Sequence, residues 1–357
     1  MLRVFLILLV TLSLYAYDIS DSLQIRAFGN ADVIVSDTDN IASDLVSGRS
    51  ILLEENDPNY DYSLIGAQLD YKINNYLSVM AQGIYGVQEY SSHYETSLEW
   101  ALLGIDLSHN YKLNLGKMKV PYMKYTEVNY IGYSYLWQRP QLIDGVNGFD
   151  ELYGASLRKS TYIDDIDLTF QFTGGQAQHE ETSDENKWIA ILSAEANYEG
   201  SSLRLAYGEA RFDHILPDGL VKATNTSLKF GSIETEIHLD NLSIYAGFAK
   251  NENTEIPNQM FYYGSLAYSF GIFTPYYLHS YSEVTSIPNR MAGVFPPPRD
   301  GYEKFTINAV GMRYDVFEGL ALKTELSLKD IKSNLKARSA DAPESAHLFS
   351  ASINMAF

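Results

Sequence analysis

The last nine residues of the chain, 349–357, read FSASINMAF and decide the fold class. Apolar and polar residues alternate there: Phe349, Ala351, Ile353, Met355 and Phe357 fall on one side, and Ser350, Ser352 and Asn354 on the other. Successive side chains of a β-strand point to opposite faces, so this segment has one apolar face and one polar face. A strand between lipid and water has this two-residue period, and the segment therefore predicts a transmembrane β-barrel.

The amino-terminal end has the pattern of an export signal. Met1-Leu2-Arg3 gives a short positive start, residues 4–14 are an unbroken apolar run, and the small residue Ala16 precedes polar sequence. This pattern predicts a cleaved signal peptide over residues 1–16 and one mature domain over residues 17–357. The apolar run is shorter than the about 20 residues that a spanning helix needs. No second run of that length follows, so membrane insertion would require a closed barrel, which satisfies its backbone hydrogen bonds internally.

Composition argues against several other functions. The chain has no cysteine, which excludes a disulfide framework and any thiolate metal site. Its formal net charge of −19 argues against nucleic acid as a partner. The seven histidines show no metal-ligand spacing and no Gly-x-Ser-x-Gly motif occurs, so we predict no catalytic residue, no metal site and no cofactor.

Alternating segments recur along the chain, between connections that are short and long in turn. Tight turns are predicted at Asn74-Asn75, His109-Asn110, residues 163–165, 199–202, Asp240-Asn241, 269–271 and 316–319. Longer polar connections cover residues 31–59, 88–96, 118–150, 174–186, 213–226, 251–259, 283–302 and 332–345. These connections predict about 16 antiparallel strands, with fourteen or eighteen as alternatives. A soluble β-sandwich is the rival fold, but aromatic residues cluster beside the tight turns, as they do at a membrane interface.

Two features resemble Gram-negative outer-membrane porins. The pattern of Ile353, Met355 and Phe357 resembles the C-terminal signature that the barrel assembly machinery recognises. Residues 116–121 (GKMKVP) and 133–140 (YSYLWQRP) resemble a segment of uncharacterised proteobacterial porin-like proteins. The resemblance implies a multi-pass outer-membrane barrel with short periplasmic turns, long extracellular loops and a homotrimeric assembly. It also implies contact with outer-membrane lipid and lipopolysaccharide, and with the assembly machinery through Ile353, Met355 and Phe357.

The third long connection, residues 118–150, is rich in aromatic residues, unlike its neighbours. This content predicts that the loop packs against another surface, most simply the inner wall. The loop also resembles, in position and length, the third loop of general porins, which folds inward and narrows the pore. We therefore expect a constriction formed by Tyr122, Tyr125, Glu127, Trp137, Arg139, Asp144 and Asp150. Lys119, Lys124 and Arg139 mingle with the acids here, which argues against the simple transverse field of general porins.

Strand parity predicts the charged residues of the pore wall. Where a strand has one clear apolar face, the opposite face carries Arg26, Asp70, Lys72, Arg158, Asp167, Glu195, Arg204, Lys323 and Glu325. A basic residue costs about 2–4 kcal/mol when it faces lipid at the bilayer midplane, whereas it is readily accommodated facing water. These residues should therefore point into the lumen.

Together these features predict a passive channel for small hydrophilic solutes and ions. Weak cation selectivity is expected, because acids outnumber bases in most long loops. One alternative is a substrate-specific channel, in which Tyr122, Tyr125 and Trp137 would form a stacking path for sugars or aromatic compounds. Another is a structural or adhesive barrel whose lumen is closed.

Overall fold

The structure is a computed structural model, and it describes residues 17–39, 41–42, 52–87, 93–141, 151–177, 185–215, 222–253, 258–285, 302–333 and 343–357. Its main element is a closed antiparallel barrel of 16 strands. The strands are β1 Leu23–Ser36, β2 Leu64–Lys72, β3 Leu77–Val87, β4 Tyr94–Leu107, β5 Tyr111–Lys119, β6 Glu151–Ile163, β7 Ile166–Ala177, β8 Glu185–Tyr198, β9 Ser201–Ile215, β10 Lys222–Leu239, β11 Leu242–Asn253, β12 Asn258–Tyr268, β13 Phe273–Thr285, β14 Tyr302–Phe317, β15 Leu320–Ser333 and β16 Ser345–Ala356. The predicted number of strands is confirmed. Among the described residues, no helix is long and apolar enough to cross a membrane.

The first and last strands close the barrel. β16 pairs with β1 in one continuous register from Leu348↔Ser36 to Ala356↔Phe28. Beyond that ladder, the Phe357 amide donates to the Ala27 carbonyl at 2.8 Å, and the Ala27 amide donates back at 2.9 Å. A short strand, Tyr17–Ser20, pairs antiparallel with the start of β1. The chain terminus therefore completes the hydrogen-bonded seam, which leaves less unpaired strand edge in the membrane.

The tight turns lie where the sequence predicts them. His109, Asn110, Asp164, Glu199 and Asp240 all have positive φ angles, between 47° and 64°. Gly200, Gly271 and Gly319 also have positive φ in these turns. Asn, Asp and Gly tolerate this conformation better than other residues, which is why they mark two-residue hairpin turns in a sequence. We call this end of the barrel the turn end and the opposite end the loop end.

The barrel is apolar outside and mostly polar inside. On β8 the side chain of Leu192 is 59% exposed, whereas that of the adjacent Ser193 is 3% exposed. On β9 the side chain of Leu205 is 47% exposed, whereas that of the adjacent Arg204 is 5% exposed. Exposed aromatic residues collect at the turn end, among them Tyr71, Tyr198 and Phe273. An apolar belt with an aromatic rim is typical of a barrel surrounded by lipid.

The two ends of the lumen differ. At the loop end, inward side chains such as Thr226, Asn251 and Lys329 are at most 1% exposed. At the turn end, Lys72, Lys112 and Arg158 are exposed, and a polar cavity of about 520 Å³ lies against the inner faces of β1 to β5. The described inward residues are therefore buried at the loop end and reached by water at the turn end.

One predicted boundary is wrong. The first long connection was expected to begin at residue 31, but β1 continues to Ser36. Asp32 thus belongs to the inner wall and is 4% exposed. Asp32, Ile34 and Ser36 are all buried on the inward face, and Val33 and Val35 fall on the outward face, so the two-residue period of the strand continues to Ser36.

Candidate functional site

The third loop follows β5 and enters the lumen, where residues 120–141 are described. It has little regular structure beyond two 3₁₀ turns, Thr126–Val128 and Gly132–Ser134. Met123 and Trp137 are fully buried and belong to the largest apolar cluster inside the barrel. The loop therefore packs against the inner wall, as its aromatic content indicates.

The loop leaves β5 through a buried ion-pair network. Lys119 Nζ lies 2.5 Å from Glu99 Oε2 and 3.2 Å from Glu151 Oε1, and it also lies 4.7 Å from the centre of the Tyr130 ring. Glu99 occupies a bulge of β4, where the pairing with β3 shifts by one residue. Parity alone does not reveal this acid, because the bulge interrupts the alternation.

The next contact is with β9 and β10. Lys124 Nζ lies 2.6 Å from Glu236 Oε2, and its backbone amide donates to Glu234 Oε2 at 2.6 Å. Tyr125 donates its hydroxyl hydrogen to Glu236. Arg204 Nη2 donates to the Pro121 carbonyl at 2.7 Å. Bases of the loop are thus matched by acids of the wall, which neutralises both.

Trp137 fills the centre of the apolar cluster. Its ring meets those of Tyr125, Tyr245 and Tyr263 edge to face, with centroid distances of 5.6, 5.3 and 5.5 Å. Its Nε1 donates to Ser265 Oγ at 3.0 Å. A stacking path for solutes needs exposed ring faces, but Trp137 is 0% and Tyr125 5% exposed. Trp137 and Tyr125 are therefore packing residues, which argues against the alternative of a stacking path along these rings, while Tyr122 is half-buried against Phe230.

Lys323 on β15 clamps the backbone of the loop. Its Nζ donates to the carbonyl oxygens of Gly132, Tyr135 and Trp137 at 2.6, 2.6 and 2.7 Å. Arg313 on the neighbouring strand donates to the carbonyls of Tyr133 and Tyr135 at 2.9 and 3.0 Å. Lys323 points inward as predicted, but its 1% exposure makes it an anchor of the loop, out of contact with solutes.

Arg139 fixes the last described part of the loop. Its two terminal nitrogens donate to the two carboxylate oxygens of Asp32 at 2.8 and 2.9 Å, and the guanidinium lies 3.7 Å from the centre of the Tyr62 ring. Such a bidentate pair holds both position and orientation. Asp144 and Asp150, expected in the same loop, lie outside the described residues.

Glu127 is the one acid of the described part of the third loop. It is half-buried; burial raises the pKa of its carboxyl group above the usual range, and the charges of Arg204 and Arg158 oppose that rise. Arg204 Nη1 also lies 3.7 Å from Glu195 Oε2. Arg204 is buried, but Arg158 is exposed and Glu127 and Glu195 are partly so, and water therefore reaches three of these four charged groups.

The other predicted wall residues also lie on inward-facing positions. Arg26 Nη1 and Asp70 Oδ2 form an ion pair of 3.1 Å at the turn end, where Lys72 lines the same cavity. Glu325 accepts a hydrogen bond of 2.7 Å from the Tyr276 hydroxyl. Asp167 alternates with the outward Ile166 and Leu168 near the same end.

Five further charged residues bind the loop and were not predicted as wall residues: Asp32, Glu99, Glu234, Glu236 and Arg313. For Glu234 and Glu236, parity with Ile233 and Ile237 is a usable signal.

By fold, the chain is a multi-pass outer-membrane β-barrel whose third loop lies inside the lumen. No protein-family model matches its sequence, and no curated protein sequence matches it. Its structure is similar to an anion-selective porin from Comamonas acidovorans, with 11% identity, 94% of this chain and 99% of that one covered, and a TM-score of 0.61. It is also similar to a loop L8 deletion mutant of the Vibrio cholerae outer membrane protein OmpT, with 13% identity, coverage of 94% and 100%, and a TM-score of 0.60.

A third similar structure is the outer membrane channel DcaP of Acinetobacter baumannii, with 11% identity, coverage of 96% and 99%, and a TM-score of 0.59. At these identities the comparisons establish the shared fold and not a shared substrate. The fold is that of Gram-negative outer-membrane porins, and it places the chain in the outer membrane. Within the described part of the chain, no group of three His, Asp or Glu side chains could hold a metal ion.

Proposed function

We propose that this protein is an outer-membrane channel for passive diffusion of small hydrophilic solutes and ions. The observation that carries the proposal is the reversed polarity of the barrel: an apolar outer belt surrounds a polar cavity of about 520 Å³ at the turn end. Arg26, Lys72 and Lys112 line that cavity beside acids and amides. A lining that mixes bases, acids and amides suits hydrated solutes, and its polar groups are not arranged around one particular ligand.

The proposed constriction is the group formed by Glu127, Arg158, Glu195 and Arg204. These side chains lie at the loop, and three of them remain partly or fully exposed. Most other charges of the described loop are paired with wall residues. Selectivity would then depend on few free charges, which supports a weak preference.

We propose that the preference is for cations. The formal net charge of −19 supports this sign at the mouths of the channel, whereas Arg158 and the exposed lysines of the turn end oppose it. Charges on exposed loops are screened beyond about 8 Å at physiological ionic strength, so the preference should weaken as salt is raised. Reversal potentials across a KCl gradient test the sign, and anion preference at both low and high salt would refute it.

A closed structural barrel is the second candidate, and the packing of the third loop favours it. Hydrogen bonds and ion pairs hold the described loop to strands on several sides of the lumen, and inward residues at the loop end are buried. Single-channel recording in planar bilayers separates the candidates. Steady ohmic current supports the diffusion channel, no current supports the closed barrel, and current blocked by one solute supports a substrate-specific channel. Recording of Lys323→Met beside the wild type tests whether the loop itself closes the lumen.

Three partner and processing proposals accompany this function. Removal of residues 1–16 should leave a mature chain that begins at Tyr17, which N-terminal sequencing of outer-membrane material tests. Phe357, Met355 and Ile353 are proposed to engage the assembly machinery, because they form the outer face of the closing strand. A homotrimer is also proposed, since OmpT of Vibrio cholerae has a trimer form. Analytical ultracentrifugation of the detergent-solubilised protein tests the trimer.

A further inference from the structure

Positive charge is spread unevenly over the lining of the polar cavity at the turn end. Asp70 is paired there with Arg26, whose Nη1 lies 3.1 Å from Asp70 Oδ2. Lys72 on β2 and Lys112 on β5 line the same cavity and are exposed. Within the part of the chain that the structure describes, neither of these two ammonium groups has an ion-pair partner. The cavity therefore presents two unpaired ammonium groups to its water.

The glycine at position 104 lets both lysines reach the same part of the cavity. In the strand register Lys72 stands opposite Ser78, and Ser78 stands opposite Gly104. A Cβ at Gly104 would lie 2.5 Å from Ser78 Oγ and 3.4 Å from Lys112 Cε, so the missing side chain leaves room for both groups. Lys72 and Gly104 are two strand spacings apart, about 10 Å. The two lysine side chains can therefore reach one anion above Gly104 from opposite sides.

The remaining acids of the cavity do not neutralise these lysines. Asp21 lies in the turn before β1, and Asp106 stands opposite Lys112, two residues nearer the turn end than Gly104. The Lys112 side chain leans toward Gly104 and so away from Asp106. Arg158 stands opposite Lys112 on its other side, and like charges in such a pair destabilise a sheet. An anion bound beside Lys112 would offset this repulsion.

The inner part of the cavity is apolar. Met80, Trp100 and Leu102 line it, two or more residues farther from the turn end than Ser78 and Gly104. Leu102 belongs to the largest apolar cluster of the barrel, and Met80 and Trp100 pack against that cluster. Trp100 is half-buried and has no ring partner among the described aromatic residues, so its ring can stack on a solute. The cavity thus joins a basic outer part to an apolar inner part.

We propose that this cavity is a binding subsite for aromatic carboxylates, with the carboxylate between Lys72 and Lys112 and the ring against Trp100. Ammonium groups bind carboxylates through charge-assisted hydrogen bonds, and the Ser78 hydroxyl and the Asn114 amide of the same lining can donate further ones. The lining selects a class of solutes and no single compound. The inference rests on the proposed diffusion channel, of which the cavity is part. It concerns solutes that touch the wall, whereas the proposed cation preference depends on the field at the mouths.

Binding of benzoate to the purified, folded barrel in neutral detergent tests the subsite. Saturation-transfer NMR measures this binding without an ion current, with empty detergent micelles as the blank. Lys72→Gln combined with Lys112→Gln should weaken binding by about tenfold, because one or two charge-assisted hydrogen bonds are lost. Trp100→Leu should weaken it by about threefold, the effect of one lost ring contact.

The matched control is Lys159→Gln. Lys159 lies at the same end of the barrel, but it alternates with the inward Arg158 and lies 5.0 Å from the centre of the outward Tyr111 ring. Loss of its charge should leave benzoate binding unchanged. Each variant is first shown to fold by its heat-dependent gel mobility.

Three results would overturn the subsite. Lys159→Gln would weaken binding as much as the double variant, benzylamine or benzyl alcohol would bind as tightly as benzoate, or acetate would do so without a ring. Single-channel recording separates this proposal from that of the channel. If the wild type conducts and benzoate neither binds nor blocks the current, the subsite is refuted and the channel is not. Binding of benzoate to a barrel that carries no current would refute the channel and leave a carboxylate site in a closed lumen.

Discussion

Replacing Lys323 with methionine should release the third loop and leave the barrel intact. Lys323 Nζ donates to three loop carbonyls, and it lies 4.4 Å from the centre of the Tyr135 ring. Methionine has similar length but no donor, so it fills the space and leaves those carbonyls without their shared partner. Lys323 belongs to β15, whose backbone ladder with β14 and β16 does not depend on its side chain.

The size of the effect follows from these bonds. A hydrogen bond from a charged donor contributes about 1.5–3 kcal/mol, so three bonds would sum to about 5–9 kcal/mol. Burying the ammonium group opposes a large part of this gain. A net loss of about 2–4 kcal/mol remains for the closed loop, which corresponds to roughly 30- to 900-fold faster hydrogen exchange of its amides.

Hydrogen exchange with mass spectrometry measures this directly. Peptides from residues 120–141 should exchange faster in Lys323→Met, while peptides from β8 to β12 should not change. Lys112→Met is the control, because Lys112 is also an inward lysine but is exposed at the turn end. Unchanged exchange of the loop would refute the clamp, and faster exchange throughout the barrel would show that Lys323 supports the wall instead.

Three further predictions concern the turns, the terminus and the constriction. Gly319→Ala should destabilise the barrel by about 2 kcal/mol or more in thermal unfolding, because φ is +88° and the new Cβ would lie 2.6 Å from the Ala356 carbonyl oxygen. Gly271→Ala is the control: no atom lies within 4 Å of its new Cβ, so it should cost about 1 kcal/mol in the same assay. Phe357→Ser should slow outer-membrane assembly, and normal levels in membrane fractions would contradict this. Because the pKa of Glu127 is raised, this carboxyl group begins to take up a proton at a higher pH than an ordinary glutamate does, and acidification should therefore reduce cation preference. Protonation of this group should also increase the stability of the folded barrel as the pH falls. Glu127→Gln should remove that step from reversal potentials measured against pH.

The wall of the barrel is predictable because its determinants are local. The period of two follows from lipid on one face and water on the other, and it is visible in nearly every strand. The turns are marked by residues that tolerate positive φ, such as Asn110 and Asp240. Both signals extend over a few residues, so neither requires knowledge of the fold.

The course of the third loop is not predictable in the same way. Lys323 meets Gly132 across 191 positions of sequence, and Arg139 meets Asp32 across 107. No local pattern specifies such partners, because each depends on how the loop crosses the closed barrel. Aromatic content indicates that the loop is packed, but it does not distinguish a ring that lines a pore from one that is buried, as Trp137 is.

The pairing of loop and wall charges also limits what the lumen can select. Lys119, Lys124 and Arg139 are each bound to wall acids, and Lys323 is bound to loop carbonyls. These groups hold the loop, and a charge that is already paired attracts a passing ion weakly. The number of charged groups in the lumen therefore overstates the field that an ion meets there, because many of these groups have an opposite charge within a few ångströms. Removal of one partner, as in Lys124→Met, would leave Glu236 without its cationic partner beside the lumen and should shift reversal potentials toward cations more than a loss of charge at the exposed Lys72 does.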